Sequence, residues 1–175
     1  TTAYIGLGAN TSKHIVTVHS YDLWEARRDY VKKALKYHRM TLETGEDLRP
    51  RWEENIDKFR SHSCTILGHK TSIMEVHELP PESRIGLYVD DICNNKTRHD
   101  HAMKTFSPYF IPRETMLFLM DWGFHERDNE SLKYQYRFMR ANRQSFSFIG
   151  SPPRSYCGIF LYLGGNLNYI YGKDK

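Results

Sequence analysis

Apolar and polar positions alternate over several stretches of the chain, and that period predicts strands. In Ile85–Ile92, Ile85, Leu87 and Val89 share one face while Tyr88 and Asp90 take the other. His14–Val18 places Val16 and Val18 on the face of His14, with Ile15 and Thr17 opposite. Ala3–Leu7, Ser63–Leu67, Ser72–Val76, Phe146–Ile149, Tyr156–Leu163 and Leu167–Tyr171 also read as strands. The last two are expected to form a hairpin around Gly164-Gly165-Asn166. Helical spacing is clearest in Asp22–Thr44, where Leu23, Ala26, Tyr30, Ala34 and Tyr37 recur on one face. Asp22 and Glu25 form a capping-box pair at its start, and Gly45 suits its end. Trp52–Phe59 reads as a short helix with Trp52, Ile56 and Phe59 inward. Arg98–Phe106 reads as another, preceded by Asn94, Asn95 and Thr97, with Ala102, Met103 and Phe106 inward and Pro108 as its stop. Phe110–Leu119 is extended, although Glu114–Met120 also fits a helix. Leu132–Arg143 fits helix or strand, and Trp122–Ser131 is irregular and charged.

This order predicts an α+β fold of bilobal antiparallel sheets packed with helices. The 175 residues suit a single domain. Its pseudo-halves are 1–79 and 84–175, on either side of the stiff link Leu79-Pro80-Pro81-Glu82-Ser83.

Composition narrows the class. Aromatic residues make up 14% and charged residues 26%, as in an ordinary soluble globular protein. The net charge of +4 and pI near 8.9 favour anionic partners. Arg28, Lys32, Lys36 and Arg39 line one face of the expected long helix, as a solvated face or an anion contact. Three cysteines, Cys64, Cys93 and Cys157, show no paired spacing, and their odd number points to an intracellular, reducing compartment. The first residues carry no signal-peptide pattern, and no apolar run approaches a membrane span, so no membrane partner is expected.

Two segments carry candidate chemistry. Lys13-His14-Ile15-Val16-Thr17 precedes the long helix, and Ile111-Pro112-Arg113-Glu114-Thr115 follows the strand–helix segment 85–106. In position and element order they resemble the two motifs of the two-histidine (2H) phosphoesterase superfamily, bilobal α+β proteins with one H-x-T or H-x-S motif per lobe. The resemblance implies metal-independent cleavage of phosphodiesters, one histidine acting as base and the other as acid, without a cofactor. Val16 stands at the first hydroxyl position and Arg113 at the second histidine. Arginine binds phosphate through its fork of donors but gives up no proton near neutral pH. The resemblance therefore implies a protein acting on, or only binding, RNA or oligonucleotide phosphodiesters. His14 and Thr115 would be its catalytic groups, and Arg113, Thr17, Arg140 and Arg143 would bind phosphate.

Other patterns carry less. His69-Lys70-Thr71 is the one literal H-x-T, read as a turn with an exposed histidine. Cys93, His99 and His101, with Asp90, Asp91 and Asp100 near by, lack the second ligand pair of a structural metal site, and no metal is expected. Cys157 lies in an apolar strand and reads as an inert core thiol. Tyr134, Tyr136, Arg137, Phe138, Arg140, Arg143 and Phe146 interleave rings with cations, as in single-strand binding surfaces or a snorkelling core edge. The alternatives are a non-catalytic subunit of a larger assembly, ribonucleoprotein included, docking on protein partners, and then a metal-dependent nuclease.

Overall fold

In the computed structural model, the alternating run after Ile15 becomes strand β1 (Val16–Asp22), parallel to β2 (Cys64–Lys70) in the register Val16↔Cys64 to Asp22↔Lys70. The structure describes residues 5, 8, 11, 13–39, 41–91, 95–120, 122–123, 133–153 and 155–171, without the side chains of 30, 37 and 38. Of the expected strand 3–7 only Ile5 is described. Tyr30 and Tyr37 as inward side chains, Cys93, Asn94 and most of the charged stretch 122–131 lie outside the described residues. The fold is α+β. Packing divides the chain into two compact units, Thr1–Ser72 and Ile73–Lys175.

In the first unit one face of the two-stranded sheet is apolar. Cys64 and Ile66 are buried there with Ile56, and Val16, Val18, Trp52 and Phe59 pack around them. Ile56 and Trp52 come from α2 (Arg49–Asp57), whose first turn holds Pro50, a residue that fits there because no N–H is needed. The inward set Trp52, Ile56 and Phe59 is thus as expected. Gly68 lets β2 pass close to the Trp52 ring.

The expected helix 22–44 is helical over 28–38 and not over 22–27. Asp22 ends β1, and its carboxylate accepts from the Trp24 N–H at 3.0 Å in place of capping a helix. Trp24 and Ala26 exchange backbone hydrogen bonds with Gly45, Glu46 and Leu48. Extended pairing therefore satisfies the groups that a helix would have satisfied internally. The helix α1 starts at Arg28 and runs to Lys33, then widens into a π-turn over Ala34–His38 that ends on Arg39 in the left-handed region. Arg28, Lys32, Lys36 and Arg39 are all exposed.

The second unit is a four-stranded mixed sheet in the order β3 (Leu87–Asp90), β4 (Met116–Leu119), β6 (Gly158–Tyr162), β5 (Phe146–Gly150). β3 and β4 are parallel, joined through α3 (Lys96–Phe106), and the β4–β6 and β6–β5 pairs are antiparallel. The all-antiparallel expectation therefore fails at β1–β2 and β3–β4, where helical connections permit parallel pairing. Asn95 caps α3 by accepting from Arg98 N–H at 3.0 Å. A 3₁₀ turn over Ser107–Tyr109, holding Pro108, follows it. The segment 132–143 resolves as α4 (Tyr134–Ala141). Tyr88, Leu117, Phe160 and Tyr162 from the sheet meet Ala102, Met103 and Phe106 from α3, and Phe138 and Met139 from α4, in the buried core.

Two expected strands take other forms. Ile73–Glu75 is a 3₁₀ turn, and Leu167–Tyr171 is not a strand. β6 pairs instead with β5. The terminal segment is held by side chains: Asn142 donates to Asn168 O at 2.9 Å and accepts from Asn168 N–H at 2.6 Å. Tyr169 and Tyr171 pack their rings on Phe138, and Tyr171 donates to Asp100. Among the described residues no helix is long and apolar enough to cross a membrane.

Candidate functional site

His14 and Thr17 belong to the first unit, and Arg113, Thr115, Arg140 and Arg143 to the second. His14 is exposed in a bend ahead of β1, which begins at Val16 and not at His14. Thr17 is exposed on the face of β1 opposite Val16 and Val18.

Residues 112–114 form a turn, and a turn abolishes the period-2 rule that would have put Arg113 and Thr115 on one face. Arg113 sits exposed with φ 66°, its N–H donating to Tyr162 O at 2.7 Å. Thr115 is fully buried: its hydroxyl donates to Ile85 O and accepts from Ile111 N–H at 2.6 Å. This is a correction to Thr115 as a substrate contact, since both roles of the hydroxyl are filled by backbone. Arg140 and Arg143 are exposed at the end of α4 and in the turn after it. Arg143 lines a polar hollow with Gln144, Ser145 and Asn166. Tyr134, Phe138 and Phe146 are buried, so the interleaved aromatic and basic stretch is largely a core edge.

The metal-like cluster is also dispersed. His99 donates through Nδ1 to Asp90 at 2.8 Å, both fully buried, with the Phe138 ring edge-on to the imidazole. His101 donates to Val76 O, and Asp100 binds Lys96 and Tyr171. Among the described residues no group of three or more acidic, histidine or cysteine side chains is arranged to hold a metal. Cys157 is buried, and burial followed by the charge of Asp91 raises its thiol pKa, as suits an inert core thiol.

The histidines that do come together are His19 and His69. The register sets Tyr21 opposite His69, with His19 two residues earlier on the same face of β1. His19 Nδ1 and His69 Nε2 lie 2.9 Å apart, one nitrogen donating its proton to the other. Their planes differ by 7° and their centroids are 5.1 Å apart. A 2.9 Å nitrogen contact is shorter than the ~3.5 Å spacing of stacked carbon planes. The imidazoles therefore lie edge to edge in nearly one plane. Tyr21 stacks on His69 at 4.6 Å between centroids and 16° between planes.

Burial lowers both imidazole pKa values. The charge of His69 adds to the effect on His19, and that of Arg49 to the effect on His69. Burial raises the Tyr21 phenol. Both rings therefore favour the neutral state, and a first proton on the pair opposes a second. In the neutral pair the outer nitrogen of the donating ring carries a lone pair and that of the accepting ring an N–H, so a proton taken at the first can leave from the second by transfer across the shared hydrogen bond. Lys70 pairs with Asp47 at 2.6 Å, and Arg49 lies 3.6 Å from Glu53, which Arg60 also holds. His69 is thus a strand residue and not the expected turn histidine. His19 was legible only by continuing the alternation of β1 through Ser20 to Tyr21. No protein-family model matches the chain, and no characterised protein matches it in sequence.

Proposed function

We propose that the chain is a phosphodiesterase-like protein that acts on RNA or oligonucleotide phosphodiesters, with the His19–His69 pair as its acid–base couple. The observation that carries this reading is the 2.9 Å contact between two imidazoles on adjacent strands, one exposed and one half-buried. Phosphodiester cleavage needs one group to take a proton from the attacking oxygen and another to protonate the leaving oxygen. The outer ring nitrogens, Nε2 of His19 and Nδ1 of His69, are the ones a phosphate would meet. Neither role requires a metal. Both histidines lie in the first unit, unlike the one-per-lobe arrangement of the 2H superfamily.

The test is turnover of a 2′,3′-cyclic nucleotide and of a short 2′–5′ oligomer, with and without EDTA. The expected result is EDTA-resistant turnover, reduced at least about 100-fold in His19→Ala and His69→Ala, and retained in His14→Ala. Loss in His14→Ala alone would move the chemistry to the motif-like segment. Absence of turnover on both substrates would overturn catalysis and leave binding as the activity.

A further inference from the structure

We infer that the plane formed by His19 and His69, backed by Tyr21, is a stacking platform for one unpaired nucleobase, so that the site takes single-stranded and not duplex oligonucleotide. The inference rests on the phosphodiester reading and names how its substrate is held.

The argument begins with shape. Two five-membered rings joined edge to edge, with 5.1 Å between centroids and 7° between planes, make one flat π surface wider than either ring. The three rings are close to parallel, with His19 and Tyr21 differing by 14° and Tyr21 and His69 by 16°. Tyr21 overlaps His69, which leaves the His19 end as the more exposed part of the surface. A base in a duplex has both faces covered by its neighbours, whereas an unpaired base offers a whole face to such a surface.

Charge points the same way. Lys70 pairs with Asp47 at 2.6 Å, and Arg49, whose charge reaches His69, lies 3.6 Å from Glu53, a carboxylate shared with Arg60. With these cations engaged in ion pairs, ring contact is what distinguishes a base-bearing strand from an abasic one. Face and edge are also free to do different things. The face of the imidazole pair takes the base, while the outer nitrogens at its rim meet the phosphate attached to that base. One pair of side chains then serves both position and proton transfer without competition between them.

The experiment uses the full chain and three probes: a short single-stranded oligoribonucleotide, the same length of abasic ribose–phosphate oligomer, and the corresponding duplex. Wild type is expected to bind the single strand roughly tenfold tighter than either of the others. Tyr21→Phe should keep that preference and Tyr21→Leu should remove most of it, with far-UV circular dichroism confirming that both variants fold. In wild type, the His19 and His69 ring-proton resonances should move upfield on titration with a mononucleotide, the ring-current signature of a stacked base. Equal affinity for base-containing and abasic strands, or an unchanged preference in Tyr21→Leu, would overturn the platform alone. Binding with the expected preference but no turnover would overturn the catalytic reading alone. No binding of any probe would overturn both.

Discussion

Thr115 shows how one hydroxyl can be mistaken for chemistry. In sequence it occupies the hydroxyl position of a phosphate-binding motif, yet in the fold it closes the turn 112–114 onto Ile85 and Ile111. Thr115→Val keeps the shape and leaves the part-buried Ile111 N–H and Ile85 C=O without that partner. It should cost about 1–3 kcal/mol, read as a lower urea midpoint with an unchanged slope. Oligonucleotide binding should stay as in wild type. The histidine pair makes an opposite kind of prediction. Both folded-state pKa values lie below 6.5, so the unfolded chain takes protons first as pH falls. The associated stability is fully present above about pH 6.5 and is lost on acidification through the lowered folded values. Urea midpoints measured between pH 7.5 and pH 5 should therefore drop more steeply for wild type than for His19→Gln or His69→Gln.

Among the elements, those defined by local chemistry were the legible ones. α3 has its cap in Asn95 and its stop at Pro108, and both act as read. α2 shows its apolar spacing directly. The strand expected over 14–18 runs over 16–22 instead, because the partner that extends it lies in β2, far along the sequence. Leu167–Tyr171 misled because aromatic alternation suits a strand and also suits rings packed on Phe138. Arg113 and Thr115 would share a face only in an extended 111–115, and the turn at 112–114 breaks that period. The fit of α2 on β2 can be tested at Gly68. A Cβ there would lie 2.7 Å from Trp52 Cζ3 and 3.1 Å from Cη2, and Trp52 is itself packed on Trp24 at 4.6 Å. Gly68→Ala should destabilise the protein by about 1–3 kcal/mol in a tryptophan-fluorescence melt. Gly86→Ala is the control, since nothing lies within 4 Å of its Cβ position.

At the scale of the molecule the charge is modest, +4 over 175 residues, and both Arg49, whose charge reaches His69, and Lys70, its neighbour in sequence, are in ion pairs. A salt titration of oligonucleotide affinity should therefore give a shallow slope of log K on log salt, about −0.7 to −1.4, equivalent to one or two neutralised phosphates. A slope several times steeper would shift the interface to the exposed Arg28–Arg39 face of α1 or to Arg140 and Arg143. The parallel pairing of β1 with β2 has a consequence in time as well as in space. His19 and His69 meet only after everything from Leu23 to Ser63, α1 and α2 included, has closed into a loop between them. Closing that loop costs chain entropy before the strand contacts repay it. The imidazole pair thus forms only once that loop has closed. A nascent or partly unfolded chain with its helices already formed would still lack it.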